Sequence, residues 1–505
     1  MEKNKSKKLT VIALALFAIL IVGATYAYLT EQTVTGKMTD INVTTYTTDV
    51  FTFATGDAIS LSADQTSFGS DKGSLSGETF AKATLVANNK TNTATDNYYV
   101  YFNIENNTFK YTLGEDKPEL ILTVTGPNGE ITELPGLSYK TVQDRENKTI
   151  KGFDVTTRNG FIIIANKKTI SATPEAEEQY TLKLTFVNYE GDQTANATST
   201  LSAKVMIQKN MIPFHETCND NTLACHTAKL YTGTQGENGI YYHDASLANG
   251  AGDNSYRFAG ASGAVNNYVC FGSSKAPCPA DNLYRIIGVF GDRVKLIKSD
   301  EANYNLLGKN GNFDSARYEY IWNYTKPRIN TWSTSLLNKT NLNQNFITNI
   351  GEEWANKIDM TTWKVGGNEY SNIVGQPAKI AYQNEIVNPV TTYSTDNKTE
   401  YSAKIGLMYV SDYGFAAAPS AWTTQLRYYD GEAIKNANWM YMGLEEWTIS
   451  RNAGNAYGVF GVFNSSGMSS LSAEYGYSVR PVFYLTSSVN YASGSGGATD
   501  PISIN

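Results

Sequence analysis

The chain has 505 residues, which is enough for two or three domains, and a formal net charge of −7 at pH 7. This negative charge disfavours binding to nucleic acid, because phosphates select basic surfaces. Charged residues make up only 18% of the chain, whereas tyrosine alone occurs 34 times. Such a composition suits β-sheets with polar, aromatic surfaces.

The N-terminus has the pattern of an export signal. Four lysines lie within the first eight residues and precede an apolar run from Leu9 to Val22, and the small residues of Gly23–Ala27 follow where a signal peptidase cuts. We predict cleavage after Ala27, which makes residues 1–27 the signal and signal peptidase a partner. The alternative is an uncleaved anchor, because residues 9–29 reach the length of about 20 residues that crosses a bilayer. Either outcome places the rest of the chain outside the cytoplasm, secreted or at the cell surface.

Residues 28–209 are predicted to form an antiparallel β-sandwich that serves as a stalk. The predicted strands are Asn42–Phe53, Asn97–Asn106, Glu119–Thr125, Gly152–Thr157, Phe161–Ala165, Tyr180–Asn188 and Thr200–Gln208. Leu182, Leu184 and Phe186 alternate with residues that point to the other face. Gly126–Gly129 and Asn159–Gly160 predict hairpin turns, because Asn and Gly accept a positive φ.

The cysteines predict two short disulfides. They lie at Cys218, Cys225, Cys270 and Cys278. We expect the first two to pair and the last two to pair, in an oxidising compartment, so that residues 210–229 form a disulfide-stapled junction between domains. The alternative for the first pair is a zinc site, since His215 and His226 lie beside it. The spacing fits no standard zinc module, and we predict no metal.

Residues 230–505 are predicted to form a second, α+β domain. All seven tryptophans lie in it: Trp322, Trp332, Trp354, Trp363, Trp422, Trp439 and Trp447. Tyr284–Phe290 and Arg293–Lys298 predict paired strands around a turn at Gly291–Asp292. Residues 341–358 place apolar side chains four apart, from Phe346 to Ile358, which predicts one face of a helix.

Two stretches of this second region carry a family resemblance. The first comprises Tyr256–Gly260, Asn266–Gly272 and Leu283–Phe290. The second comprises Glu446–Arg451, Tyr477–Leu485, Ser493–Gly497 and Asp500–Pro501. Both are similar to a family of uncharacterised domains in exported proteins of Firmicutes and related gut bacteria, which is related to the C-type-lectin-like fold shared with formylglycine-generating enzymes. The resemblance implies a C-type-lectin-like fold for residues 230–505.

A second resemblance lies at the N-terminus. Gly23–Thr30 resembles the export signal of camelysin-like biofilm-matrix fibre proteins, whose mature parts are β-sandwiches. This likeness implies a structural subunit of a surface fibre or matrix. Simple fibre subunits lack the large second domain that follows the strand region here.

The sequence gives little support to an enzyme. It contains no G-x-S-x-G, H-E-x-x-H or P-loop motif. Formylglycine-generating enzymes work through cysteines late in their domain, and this chain has no cysteine after Cys278, so a shared fold does not carry their activity. Glu445 and Glu446 beside Trp447 suggest a glycosidase, but adjacent carboxylates on a strand face opposite sides, and a solvated turn is the preferred interpretation. We predict no catalytic residues and no cofactor.

The predicted ligand-binding residues precede the terminal strand, where C-type-lectin-like domains display variable contacts. They are Trp439, Tyr441, Trp447, Arg451 and Asn464. Aromatic faces stack on sugars, and Asn or Arg binds hydroxyls or carboxylates. The alternative for Trp447 and Arg451 is packing inside the fold, and the polar loop 464–472 is then the better binding surface.

Three hypotheses about function follow. The first is an exported adhesin-like binding protein that recognises a glycan or protein ligand outside the cell through its C-terminal domain. The second is a structural subunit of a surface fibre or biofilm matrix. The third is a secreted hydrolase.

Overall fold

The structure, a computed structural model, describes residues 33–35, 49–68, 72–88, 91–324, 329–393, 398–463 and 467–505. It is mainly β, with several antiparallel sheets. The chain separates into two compact units. The first unit ends at Pro213 and includes Thr217–Asn219, and the second unit holds Phe214–Glu216 and Asp220–Asn505. The division between them falls within residues 210–229, the predicted junction.

The predicted export signal and anchor, residues 1–27 and 9–29, lie outside the described residues. In the part of the chain that the structure describes, no helix is both long enough and apolar enough to cross a membrane. The first predicted strand, Asn42–Phe53, also falls partly outside, and its described part belongs to the strand Val50–Thr55.

The first unit consists of two antiparallel sheets. Its strands are β1 (Thr33–Thr35), β2 (Val50–Thr55), β3 (Ile59–Ser62), β4 (Leu75–Val86), β5 (Ala94–Asn107), β6 (Leu120–Gly126), β7 (Gly129–Glu130), β8 (Tyr139–Gln143), β9 (Thr149–Asp154), β10 (Gly160–Ala172), β11 (Glu175–Phe186) and β12 (Thr200–Gln208). One sheet has the order β1-β12-β5-β10, with β3 paired to β12. The other has the order β2-β4-β11-β6-β9-β8, with β7 paired to β6.

The core of the first unit draws on both sheets. Val100 and Phe102 of β5 and Leu182 and Leu184 of β11 are fully buried in one hydrophobic cluster. Lys183, between the two leucines, is exposed, as the period-two pattern predicts. Toward the end of β11 the alternation of burial fails, because Thr185 is also buried. Val187, just after the strand, is buried in a second, smaller hydrophobic cluster.

The two predicted turns of the first unit have different outcomes. Gly126–Gly129 closes the hairpin between β6 and β7, as predicted. Asn159–Gly160 closes no hairpin, because β9 pairs with β6 and β8 whereas β10 pairs with β5 in the other sheet. Gly160 does adopt a positive φ of 84°, so the local signal was right and the strand partner was wrong.

The second unit mixes short strands and short helices. Its strands are β13 (Ile240–His243), β14 (Ser255–Phe258), β15 (Tyr268–Cys270), β16 (Leu283–Phe290), β17 (Arg293–Lys298), β18 (Phe313–Asp314), β19 (Glu319–Ile321), β20 (Thr361–Lys364), β21 (Glu400–Ala403), β22 (Ile405–Gly406), β23 (Glu446–Arg451), β24 (Gly458–Phe463), β25 (Gly467–Ser472), β26 (Gly476–Tyr477), β27 (Val482–Tyr484), β28 (Tyr491–Ser493) and β29 (Ser503–Ile504). The α-helices are α1 (Phe214–Thr217), α2 (Leu223–Ala228), α3 (Tyr304–Leu307), α4 (Ile347–Ile350), α5 (Glu352–Ala355), α6 (Ala378–Tyr382), α7 (Val410–Ala416) and α8 (Glu432–Asn436), and Leu337–Phe346 and Gln383–Val387 are π-helical.

The main sheet of the second unit has the order β13-β14-β16-β17-β27-β22, with β15 paired to β16. The predicted hairpin of β16 and β17 is confirmed, with Phe290 opposite Arg293 and a positive φ at Gly291. Five of the six residues of β17 are buried, so this strand is covered on both faces.

The predicted helix over residues 341–358 is present but broken. A π-helix ends at Phe346, α4 follows, and Gly351, with a φ of 83°, separates α4 from α5. Phe346, Trp354 and Ile358 are buried, as the four-residue spacing predicts. The left-handed glycine is what interrupts the helix, because α-helix requires a negative φ.

All seven tryptophans lie in the hydrophobic core of the second unit, and none is more than 7% exposed. Several also satisfy their indole N–H inside the fold. Trp322 donates to the Thr448 carbonyl at 2.9 Å, and Trp363 donates to the Ala403 carbonyl at 3.0 Å. The tryptophans therefore stabilise this unit by burying large apolar surfaces.

Candidate functional site

A cavity of about 160 Å³ lies in the second unit. Its lining residues come from strands β14, β16, β17, β20 and β27, from helix α6 and from the beginning of α7. Tyr382 of α6 is partly exposed, whereas Arg257, Lys295 and Asp412 are buried. Cavities with apolar walls and a few converging polar groups are the usual form of binding sites.

The first charged group of the cavity is Arg257, which is 2% exposed. Its Nη2 contacts Asp253 Oδ2 at 2.6 Å, and its Nε donates to the Ser255 hydroxyl at 2.8 Å. Burial alone would raise the pKa of Asp253, but Arg257 and the Ser255 hydroxyl lower that pKa to about 2. This pair therefore presents a carboxylate and a guanidinium at neutral pH.

A second pair, Lys295 and Asp412, lies deeper. Lys295 Nζ is 2.5 Å from Asp412 Oδ2, and both side chains are almost completely buried. Asp412 belongs to a capping box at the beginning of α7, where its Oδ2 also accepts from the Tyr409 backbone N–H at 2.9 Å. Arg257 Nη1 lies 3.5 Å from Asp412 Oδ1, so the two pairs form one network.

A buried carboxyl group, Glu385, adjoins this network. Its Oε1 accepts from the Ser411 backbone N–H at 2.7 Å, and its Oε2 accepts from the Ser450 hydroxyl at 2.5 Å. Burial raises the pKa of Glu385 to about 7, although both hydrogen bonds oppose the rise. Glu385 is therefore partly protonated near neutral pH.

Aromatic rings surround these charges. The Arg257 guanidinium lies 4.6 Å from the Phe290 ring centroid and 5.3 Å from that of Tyr382. Lys295 Nζ lies 4.7 Å from the Tyr409 ring and 5.5 Å from the Tyr484 ring. Such contacts stabilise cations that have lost their water, and the same rings give the cavity apolar walls.

His243, the last residue of β13, is a histidine that bears on the hydrolase hypothesis, because a hydrolase needs a general base. It is fully buried, and its Nδ1 accepts from the Ala251 backbone N–H at 3.0 Å. Burial, together with the Arg257 cation, keeps its pKa well below the ordinary value. In the neutral ring Nε2 then carries the proton, so neither nitrogen offers a free lone pair for general-base catalysis.

The predicted ligand-binding residues lie elsewhere. Trp439 and Trp447 are buried and donate to the Phe258 and Tyr320 carbonyls at 2.8 and 3.0 Å. Arg451 is also buried, with Nη2 donating to the Val390 carbonyl at 3.0 Å.

Tyr441 is partly exposed beside Lys435. Asn464, like the rest of 464–466, lies outside the described residues. The structure brings none of the four described candidates into the lining of the cavity.

The prediction of two disulfides is confirmed. Cys270 and Cys278 are joined, with their Cα atoms 5.8 Å apart, and Cys218 and Cys225 are both disulfide-bonded. Oxidised cysteines supply no thiolate ligands, so the zinc alternative is wrong. His226 instead stacks on Tyr491 at 3.7 Å between ring centroids. Among the described residues, no cluster of His, Cys, Asp and Glu could hold a metal ion.

The first unit contains a wider and more polar cleft of about 510 Å³. Asp154 in this cleft accepts from the Tyr111 hydroxyl at 2.9 Å and from the Thr156 hydroxyl at 2.8 Å. The Asp154 carboxylate is thus satisfied inside the cleft, and few apolar groups line it. The cavity of the second unit is therefore the better candidate site.

The sequence contains one signal for this cavity. Arg257 and Lys295 each stand between apolar neighbours inside a short strand. A charged side chain at such a position must be paired or belong to a functional site, because burying an unpaired charge is costly. Asp253, the partner of Arg257, is local in the sequence, whereas Asp412, the partner of Lys295, follows 117 residues later, and nothing local connects that second pair.

Comparison with known proteins was negative. No family model matches the chain, and no curated protein or solved structure matches it. The lectin-like and fibre-protein resemblances therefore stay predictions, and the function is argued from the site.

Proposed function

We propose that the protein is an exported, adhesin-like binding protein whose second unit recognises a glycan through the cavity between β14, β17 and α6. The observation that carries this proposal is the combination of aromatic walls with the pair Asp253 and Arg257, of which Asp253 is partly exposed. Sugar rings offer apolar faces that stack on aromatic rings, and hydroxyls that bind carboxylates and guanidinium groups. A protein side chain presented by a partner is the alternative ligand.

The size and the charges of the cavity restrict which ligands can bind. A volume of about 160 Å³ is below the roughly 300–1,000 Å³ that encloses drug-sized molecules, so it suits a single sugar ring. Two cations face two carboxylates in the network. Because those charges are paired, the cavity favours a neutral ligand over a strongly charged one.

The architecture we propose is a β-sandwich stalk followed by a C-type-lectin-like domain. The two antiparallel sheets of the first unit share one core, which supports the sandwich. The two disulfides support an oxidising location outside the cytoplasm.

The proposal is tested by screening the purified protein against a glycan array and then measuring affinities of a few hits by calorimetry. Tyr382→Ala removes the partly exposed aromatic wall and should weaken binding at least about tenfold. Tyr428→Ala is the matched control, since Tyr428 is 55% exposed and lies outside the cavity. Its affinity should equal that of the wild type.

Two results would overturn the proposal. One is equal binding by the Tyr382→Ala variant and the wild type. The other is an array without hits together with filaments in electron micrographs of the ligand-free protein, which would favour the fibre-subunit hypothesis.

A further inference from the structure

The pair Lys295 and Asp412 combines close contact with unusual isolation from water. Lys295 Nζ and Asp412 Oδ2 are 2.5 Å apart, with side-chain exposures of 1% and 2%. Burying two opposite charges has a desolvation cost that can exceed their attraction. Transfer of the proton from Lys295 to Asp412 would remove both charges from the interior.

Burial of Lys295 favours the neutral amine. Four aromatic rings with centroids 4.7 to 5.8 Å from Nζ keep water away from it, although their faces also attract the ammonium form. Burial lowers the pKa of Lys295, and Asp412 opposes that shift. A desolvated lysine in an apolar pocket is the usual form of an amine nucleophile.

Two further groups are placed to assist chemistry at Asp412. Arg257 Nη1 lies 3.5 Å from Asp412 Oδ1, where a cation stabilises negative charge that develops on oxygen. Glu385 accepts from the backbone N–H of Ser411, the residue before Asp412, and its charge acts on both Lys295 and Asp412. Glu385 is thus a buried carboxyl that interacts electrostatically with both groups of the pair.

We propose that Lys295 and Asp412 condense to an intramolecular amide cross-link, with Glu385 relaying the proton. This proposal does not require a bound glycan, although both residues belong to the lining of the same cavity. It adds a covalent connection between β17 and the beginning of α7, two positions 117 residues apart, inside the core of the second unit.

The reaction balances without an oxidant or a cofactor. The Nζ lone pair attacks Cγ of the protonated Asp412 carboxyl, and a C–N bond forms as the carbonyl oxygen becomes an oxyanion beside Arg257. The nitrogen gives a proton to Glu385, which returns it to the departing hydroxyl. The C–O bond breaks, one water leaves into the adjoining cavity, and an amide remains. Two groups held in contact react as if at very high concentration, which replaces external activation.

The test is the intact mass of the purified, disulfide-reduced and denatured protein. We expect the wild type to be lighter than its mature sequence by one water molecule. Trypsin should then yield a branched peptide that joins residues 294–298 to residues 405–427, since acylated Lys295 is not cleaved. A full sequence mass, with separate unlinked peptides, would overturn the proposal.

Variants test whether the lost water molecule comes from Lys295 and Asp412. Lys295→Arg keeps a cation in the fold but cannot form the amide, so it should show the full mass. Lys364→Arg is the matched control, because Lys364 pairs with Glu400 at the surface, and it should still lack the water. Glu385→Gln should form the link at a rate on the order of 100-fold lower. A missing water that persists in Lys295→Arg, or an undiminished rate in Glu385→Gln, would contradict the assignment.

Discussion

Neutralising Glu446 should destabilise the second unit strongly. The Glu446 carboxylate is 3% exposed and accepts two hydrogen bonds from Arg480, one from Nε at 2.7 Å and one from Nη2 at 2.8 Å. Arg480 Nη2 also donates to the Met440 carbonyl at 2.9 Å. In Glu446→Gln the guanidinium stays buried without its counter-ion.

The expected cost follows from this burial. Removing one partner of a buried ion pair costs about 3–5 kcal/mol, and we expect the lower end of that range because glutamine retains one acceptor. The double variant Glu446→Leu, Arg480→Met should recover at least about 1 kcal/mol of the lost free energy of unfolding, because it leaves no charge unpaired.

The assay is urea unfolding followed by tryptophan fluorescence. All seven tryptophans lie in the second unit, so this signal reports that unit in the full chain. Glu445→Gln is the control, since Glu445 is exposed, and it should change the free energy of unfolding by less than about 0.5 kcal/mol. If Glu446→Gln is as stable as that control, the buried pair does not brace the fold and our reasoning is wrong. A large loss would instead mark Glu446 as structural, against the glycosidase interpretation of the two glutamates.

Two further predictions use the same urea unfolding assay. Burial raises the pKa of Glu385 from 4.5 to about 7, so the folded chain binds more protons than the unfolded chain between those values. The free energy of unfolding should therefore fall by about 3 kcal/mol as pH rises through that window. Glu385→Gln should remove this part of the pH dependence, and an unchanged slope would contradict it. Replacing Cys270 and Cys278 by serine opens a short loop, with a sequence separation of 8, and should cost about 2.5 kcal/mol on the loop-entropy estimate. A loss below about 1 kcal/mol would refute that estimate here.

The strands of the first unit could be predicted from the sequence because their signal is local. Thr200–Gln208 is a strand with the predicted limits, and the alternation around Leu182 and Lys183 is visible in burial. Strand pairing is not local. The turn at Asn159–Gly160 has the composition of a hairpin, yet its flanking strands belong to different sheets, because long-range partners decide the connection.

The tryptophans show a second limit of prediction from the sequence. Trp439 and Trp447 fit a surface that stacks on sugars as well as they fit a core, because a large aromatic ring with one donor serves both. What decides between the two is whether the indole N–H finds a partner inside the fold. For these two residues the partners are the carbonyls of Phe258 and Tyr320, more than 120 residues away in sequence. No local pattern could have supplied them.

The candidate cavity likewise depends on a contact between residues that are far apart in the sequence. Lys295 lies on a strand that is covered on both faces, so its charge needed a partner inside the fold. That partner, Asp412, also caps α7, and a capping role accounts for an aspartate at this position without any reference to lysine. Each residue therefore has a local explanation, and only their contact reveals a buried nucleophile facing a carboxyl group. An apolar pair of similar volume would avoid the desolvation cost of the two charges, but it would also remove the cap of α7. Arg257 beside the same carboxyl and Glu385 bound to the neighbouring Ser411 backbone are what favour chemistry over packing.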